Sequence, residues 1–216
     1  MSARIYKSVA LIFAISCASL VPTQVAAKTC ARSELPGGAS NIVPIRNPDQ
    51  SLFNRAILSE VNYERCEAGL SPLTLARGLI TVAGNHAAWM AKRSSLSHRS
   101  TIRGQSSVQE RVLASGLNAR RGSENIGNLP RYQFGGARKI YIKNMSRCEF
   151  SSASGRRIAP HSYASLATQI VDMWMSSAGH RRNVLDRNVS SVGSAIMFDT
   201  NGSHCGQFFL SQNFAG

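Results

Sequence analysis

Three residues in polar stretches of the sequence could act together in chemistry: two histidines and one glutamate. His98 lies in the stretch 96–99, Glu124 lies between glycines in the stretch 122–127, and His180 directly follows a glycine. Imidazole nitrogens and a carboxylate can hold a divalent metal such as zinc, and they can also serve acid–base catalysis. Since loop histidines and acids are usually just solvated, the spacing alone leaves a functional site and a solvated arrangement both open.

An amphipathic helix precedes His180 and should position it. Its apolar residues recur at spacings of three and four, which places them on one face; they are Tyr163, Leu166, Ala167, Ile170, Val171 and Trp174. Serines, Ser177 among them, and a glycine then break the pattern. A histidine just past a helix end, beside a residue that tolerates close backbone approach, can point into a cleft.

Three further helices are predicted upstream. The first begins with Asn47 as its cap and Pro48 at its first position, and it ends at Gly69. The second covers residues 75–92 and places His86 on its buried stripe, either as a third cleft ligand or, as we favour, as a core histidine bonded to backbone. A short third helix, residues 107–116, contains Glu110 and Arg111, which we expect on a solvated or locally paired face.

Five sequence motifs occur in an order that matches a known family. They are ILSEVNYERCEAGLSPL, the AxxHAxxM pattern within AGNHAAWM, LSH, SENIG and WMSSAGHRRNVL. In this order they resemble the CAP superfamily, which contains cysteine-rich secretory proteins, antigen 5 and pathogenesis-related plant proteins. The chain is most similar to the short bacterial members, over residues 52–214. No single motif is specific, so the resemblance depends on their order.

The resemblance implies an α+β fold, a three-layer α-β-α sandwich of the CAP (SCP) type with a central antiparallel sheet. It also implies a cleft lined by His98, Glu124 and His180, with Asn125 and Ser177 beside them. Many eukaryotic members carry a second glutamate where Ser177 stands here. With one carboxylate fewer, a metal bound by His98, His180 and Glu124 should be held more weakly than in the four-residue version.

The first 27 residues are typical of a secretory signal peptide. Basic residues precede an apolar run, and small residues ending at Ala27 provide a cleavage site. Lipoprotein processing at Cys17 and an uncleaved anchor are the less favoured alternatives. We therefore expect an exported protein, periplasmic or secreted, with an extended leader at residues 28–46 and one CAP domain at residues 47–216.

Cleavage would leave four cysteines, and an even number in an exported chain indicates two disulfides. Three pairings are possible. We favour Cys30 with Cys66 and Cys148 with Cys205, because each bond would tether a segment with little core of its own. A zinc site built from cysteines is not expected, since no two of them are closely spaced in the sequence.

The segment 118–157 carries nine basic residues and two acids, which is +7 of the formal net charge of +14 for the whole chain. It contains a predicted strand at residues 138–145, and we interpret residues 129–160 as a basic insertion relative to the bacterial relatives. Anionic lipid or a cell-envelope polymer could bind this surface, or the charge could serve only solubility. No nucleic-acid module is recognisable, and export argues against such a partner.

Two closing strands, at residues 190–198 and 205–214, are predicted to form an antiparallel hairpin, with Asn201 and Gly202 supplying the positive φ angles of its turn.

The function that we favour is a non-enzymatic binding module, whose cleft can hold a divalent metal and whose surface binds lipid, envelope polymer or a protein partner. The alternative is a metal-assisted, protease-like hydrolase that uses the same cleft. Zinc hydrolysis needs three protein ligands and preferably a separate base, and Glu124 cannot be both third ligand and base. A structural envelope protein without a ligand is the third possibility.

Overall fold

The computed structural model describes residues 29–35, 37–135 and 139–216. The predicted signal peptide, with Cys17 and the cleavage site at Ala27, lies outside the described residues. Within the described part of the chain, no helix combines the length and the apolar character that crossing a membrane requires.

Five helices are described. They are α1 (Gln50–Glu67), α2 (Arg77–Arg93), α3 (Val108–Ala114), α4 (Tyr163–Ser176) and α5 (Ala178–Val184). Helix α4 starts with a reciprocal capping box between Ser162 and Ser165, and its predicted apolar face is buried. The predicted cap of α1 was wrong. Asp49 accepts the backbone N–H of Leu52, while Asn47 has a left-handed backbone with φ of 49° and lies before the helix.

Six strands form two sheets in the part of the chain that the structure describes. The strands are β1 (Thr74–Leu75), β2 (Gly122–Pro130), β3 (Ile140–Asn144), β4 (Glu149–Ser152), β5 (Ser191–Asp199) and β6 (Gln207–Ala215). The central sheet has the order β1-β5-β6-β2, and β3 pairs with β4 in a separate hairpin. The pairs β5–β6 and β6–β2 are antiparallel as expected, but β1 runs parallel to β5, so the sheet is mixed.

Helices cover both faces of the central sheet, and the predicted three-layer sandwich is confirmed. One layer is α2, whose small buried residues Ala83 and Ala87 pack against Ala195 of β5. The other layer is formed by α1, α4 and α5, which bury the largest apolar cluster with Phe208, Leu210 and Phe214 of β6. Burial of these apolar side chains is the main contribution to the stability of the domain.

The predicted leader packs along the α1–α4 layer rather than standing clear of it. Ala39 and Val43 are buried in the largest apolar cluster, and Val43 donates its backbone N–H to the carbonyl of His161. Arg32 binds the carboxylate of Glu60 on α1. The leader therefore completes the core of the helical layer.

Both predicted disulfides are confirmed. Cys30 is bonded to Cys66 at the end of α1, and Cys148 is bonded to Cys205 in the connection between β5 and β6. The first bond ties the leader to α1. The second ties the β3–β4 hairpin to the central sheet, which is the tethering that favoured this pairing in the sequence.

The predicted turn between β5 and β6 was wrong in detail. Neither Asn201 nor Gly202 has a positive φ, and the left-handed residues are His204, Cys205 and Gly206. A Cβ on Gly206 would lie 2.3 Å from the ring of Phe198, so both the backbone and the space require glycine there. The positive φ angles of this turn therefore lie beside the disulfide at Cys205 and not at the Asn-Gly pair.

Candidate functional site

Glu124 lies in the middle of a strand and not in a loop, as its glycine-flanked sequence had suggested. It belongs to the edge strand β2, where it pairs with Asn213 of β6. Successive side chains of a strand point to opposite faces, so Glu124 and Asn125 cannot line the same face of the sheet. Glu124 faces the α2–α3 side, where its side chain is fully buried.

A buried arginine binds the carboxylate of Glu124 through two nitrogens. Arg111 of α3 donates from Nε to Oε2 at 2.8 Å and from Nη2 to Oε1 at 2.7 Å, and its own side chain is fully buried. Ser211 donates its hydroxyl to Oε2 at 3.3 Å. The expectation of a solvated or locally paired Arg111 was therefore wrong. A buried carboxylate needs such a partner because an unpaired buried charge is very costly.

These contacts keep Glu124 ionised. Burial alone would raise the pKa of its carboxyl group, but the hydrogen bonds from His98 and Arg111 outweigh burial and hold that pKa below its usual value. The carboxylate is therefore a fixed negative charge matched by a fixed positive one.

His98 lies above this pair at the rim of the site. Its Nδ1 is 2.9 Å from Oε1 of Glu124, and half of its side chain is exposed. Since Glu124 is ionised, Nδ1 carries the hydrogen and donates it. Nε2 is then the ring nitrogen that remains to bind an ion or a ligand.

The loop that carries His98 is held from two helices. Arg111 donates to the carbonyls of His98 and Gln105, and His86 of α2 bonds to the carbonyl of Ser97 at 2.9 Å. His86 is fully buried and bonded to backbone, which confirms the interpretation of it as a core histidine. Burial lowers the pKa of His86, although its Nε2 is 3.7 Å from Oε1 of Glu124. It positions the loop as a neutral residue.

His180 approaches from the other layer, around the free edge of β2. It lies within α5, a short helix that the sequence pattern had not predicted. Asn183 of α5 donates to the carbonyl of Glu124 at 3.1 Å and to Oδ1 of Asn125 at 2.8 Å, and Asn125 donates to the carbonyl of His180 at 3.2 Å. Asn125 thus holds α5 against the strand edge. Its fully buried side chain is not placed to line an open cleft.

The environment of His180 includes His98. Burial lowers the pKa of the His180 imidazole, and the charge of His98 lowers it further. Ser177 joins α4 to α5 as the residue before α5, and its side chain makes no capping hydrogen bond.

The three predicted metal ligands do not form a ready three-ligand site. Both oxygens of Glu124 are hydrogen-bonded, and the neighbouring guanidinium would repel a cation. In residues 29–35, 37–135 and 139–216, no group of three or more histidines, cysteines and acids is arranged to hold a metal ion. The arrangement fits a different role for Glu124, that of the carboxylate which orients a histidine. Metal binding stays a prediction.

Arg111 is the residue of this site that sequence reasoning missed, although a signal was present. It lies three positions after Val108 on α3, so the two residues share one face of the helix. A charged residue on such a face needs a buried partner of opposite charge. Glu124 is the first acid that follows Arg111 in the sequence.

Comparisons with known proteins agree with this fold. The sequence model of the cysteine-rich secretory protein (CAP) family matches residues 58–214. An outer surface protein of Borrelia burgdorferi superposes with a TM-score of 0.51 at 12% identity, over 77% of this chain and 95% of its own. No curated protein matches the sequence.

Two larger bacterial proteins are also similar. An extracellular protein of Bacillus anthracis that contains an SCP domain has a TM-score of 0.49 at 18% identity, over 77% of this chain and 41% of its own. A cysteine-rich secretory protein of Staphylococcus aureus has a TM-score of 0.46 at 15% identity, over 80% of this chain and 40% of its own. The present chain thus spans about two fifths of the length of these two proteins. Because the family model covers well over half of the chain, the protein belongs to the cysteine-rich secretory protein (CAP) family.

Proposed function

We propose that this protein is an exported, non-enzymatic binding module with a polar cleft at the edge of its central sheet. The observation that carries the proposal is that both carboxylate oxygens of Glu124 are already saturated with hydrogen bonds. Its two oxygens accept hydrogen bonds from Arg111, His98 and Ser211, and its charge is neutralised by a buried guanidinium. Such a carboxylate stabilises and orients its neighbours.

The same saturation argues against the hydrolase alternative. A general base needs a free lone pair within reach of the proton that it removes, and a pKa near the working pH. The oxygens of Glu124 are engaged, and its pKa lies below the ordinary carboxyl value. If Glu124 is neither base nor ligand, two imidazoles remain, and zinc hydrolysis uses three protein ligands.

A divalent metal such as zinc would be held by the two imidazoles alone. His98 would bind it through Nε2 while Glu124 accepts the hydrogen of Nδ1, the arrangement in which a carboxylate fixes the orientation of a metal-binding histidine. His180 would be the second ligand. With two protein ligands the affinity should be low, and water or a bound partner would supply the rest.

Export and an anionic partner complete the proposal. Two disulfides fit an oxidising compartment, and the similar solved proteins are described as extracellular or outer-surface proteins. The formal net charge of +14 favours an anionic lipid or cell-envelope polymer as the surface partner, and a protein partner could occupy the cleft.

Zinc titration of the mature protein by calorimetry tests the cleft. We expect weak binding that is lost in His98→Ala/His180→Ala and retained in the control His204→Ala, a histidine outside the cleft. A parallel assay offers the protein peptide and ester substrates. Hydrolysis by the wild-type protein that disappears in His98→Ala would refute the non-enzymatic role, and zinc binding that survives the double substitution would refute the two-imidazole site.

A further inference from the structure

The β3–β4 hairpin exposes apolar side chains in an unusual concentration. Nine large apolar side chains are exposed among the described residues, and three of them lie within positions 141–145. Tyr141 is 42% exposed, Ile142 is 51% exposed and Met145 is 46% exposed. Tyr141 and Ile142 are successive residues of β3, so they lie on opposite faces of the hairpin, and Met145 follows in its turn. Single exposed apolar residues are common on protein surfaces, but a group of them on both faces of one hairpin indicates that the hairpin takes part in an interaction.

The same hairpin and the segments directly before and after it carry exposed cations. They are Lys139, Lys143, Arg147, Arg156 and Arg157. In the described part of the chain, none of the five forms an ion pair with an acid. The acid of the hairpin, Glu149, is only half exposed. Unpaired cations around apolar side chains are what an anionic lipid surface attracts, since such a surface offers phosphates outside and acyl chains within.

The base of the hairpin is rigid enough to present these side chains. Phe150 and Ile158 are buried with Tyr132 in a separate apolar cluster, against which Ile140 packs. The disulfide between Cys148 and Cys205 joins the hairpin turn to the central sheet. The exposed side chains are therefore carried on a fixed support, so ordering them on a surface costs little conformational entropy.

A groove beside the hairpin adds a place for a headgroup. It has a volume of about 780 Å³ and is lined by Lys139, Arg156 and Arg157 together with the hydroxyls of Ser152 and Ser154. Cations and hydroxyl groups are the donors that bind phosphate oxygens. The groove alone would suit a soluble polyanion, but the neighbouring apolar side chains would then have no role. The two features together favour a membrane.

We propose that the β3–β4 hairpin docks the protein on an anionic phospholipid surface, with Tyr141, Ile142 and Met145 at headgroup depth and the cations on lipid phosphates. This inference specifies the surface partner of the proposed function, and it does not depend on the His98–His180 cleft. Tyrosine suits such a position because its ring is apolar and its hydroxyl is polar. Lysine and arginine can lay their alkyl chains along the apolar layer while their charges stay in water.

Vesicle co-sedimentation tests the proposal. The probes are vesicles of phosphatidylcholine alone and of phosphatidylcholine mixed equally with phosphatidylglycerol. We expect the mature protein to bind only the mixed vesicles. Lys143→Glu/Arg147→Glu should lower the partition coefficient by at least about twentyfold, since each cation contributes about fivefold near an anionic surface. Ile142→Ser/Met145→Ser should lower it by roughly tenfold through lost apolar burial, a loss that persists at high salt.

Matched controls separate docking from general charge attraction. Arg46→Glu/Arg77→Glu changes the net charge equally at two exposed sites elsewhere, and Leu113→Ser removes a side chain that is 72% exposed on α3. Both controls should bind nearly as wild type. The proposal would be overturned if the control and hairpin variants lost vesicle binding equally. It would also be overturned if the wild-type protein did not bind the mixed vesicles.

A second readout keeps the proposal testable if a variant folds poorly. The tryptophan fluorescence that the Tyr141→Trp variant gains over wild type should be quenched by brominated lipid in the mixed vesicles. The absence of quenching would overturn the docking geometry. The surface would be assigned to a soluble polyanion instead if two results were found together. Ile142→Ser/Met145→Ser would bind vesicles as well as wild type, and polyphosphate would displace both the variant and the wild-type protein fully from the vesicles. Zinc titration of the same samples reports the cleft separately, so failure of docking and failure of the cleft are distinguishable.

Discussion

The edge-strand site around Glu124 and the β3–β4 hairpin use charged residues in opposite ways. At the edge strand, Arg111 and Glu124 are fully buried and paired at 2.7 to 2.8 Å. On the hairpin, Lys143 and Arg147 are exposed and lie in no ion pair with an acid of the described residues. A buried pair is fixed because breaking it is costly, whereas an exposed cation is free to meet a partner. Charge therefore joins α3 to the edge strand and leaves the hairpin available for association.

The largest effect should come from breaking the buried pair. Arg111→Ala leaves the ionised Glu124 buried without its partner and removes the bonds that hold the loop of His98. We expect the free energy of unfolding to fall by about 3 to 5 kcal/mol. The matched change on the hairpin side, Arg156→Ala, should alter it by less than about 0.5 kcal/mol. Urea unfolding followed by circular dichroism measures both, and similar losses would remove the contrast between the two regions.

The disulfide of the hairpin should have the next largest effect. Cys148→Ser/Cys205→Ser releases the hairpin turn from the β5–β6 connection, and the bond closes a span of 57 residues. We expect a loss of about 2 to 4 kcal/mol, because the unfolded chain regains the entropy that the crosslink removed. Vesicle binding should weaken as well, since the support of the exposed side chains is loosened. A variant as stable as wild type would show that the apolar cluster of Tyr132, Phe150 and Ile158 holds the hairpin without the disulfide.

A smaller effect is expected from protonation of His161 in acid. This residue is buried, and burial lowers the pKa of its imidazole from 6.5 to about 4. Between these values the unfolded state binds more protons, so this contribution to stability is complete above pH 6.5 and is lost as the pH falls toward 4. The loss should reach at most about 3 kcal/mol.

Comparison of unfolding curves for wild type and His161→Gln isolates this contribution. Other groups with lowered pKa values, such as Glu124 and His86, titrate in both proteins and cancel in the difference. The difference in unfolding free energy should shrink as the pH falls from 6.5 to 4. A difference that is constant with pH would mean that His161 is protonated as easily in the folded protein as in the unfolded chain.

Much of the framework could be predicted because it depends on local patterns. The apolar face of α4 follows from spacings of three and four, and its start follows from serine capping. Both cysteine pairs were favoured because each tethers a poorly packed segment, and both are formed. The apolar periodicity of a helix is set within a short stretch of sequence, and a disulfide can form only between two cysteines.

The site could be predicted only in part, because its polar contacts join distant elements. Glycines around Glu124 suggested a loop, yet pairing with β6 makes this stretch a strand. Asn125 was grouped with Glu124 because the two are adjacent, and the alternation of a strand sends them to opposite faces. Arg111 was judged by its neighbours on α3, whereas its partner is 13 residues away on β2.

The amino-acid sequence by itself indicated the family, favoured the cysteine pairing that is formed, and determined the excess of positive charge and the presence of two histidines and one acid in polar stretches. Only the tertiary structure decided what the acid does. Once β2 is the edge of the sheet, α3 brings a guanidinium to one side of it and α5 brings His180 around its free edge. The role of a carboxylate depends on which charges surround it, and the folded chain sets those distances.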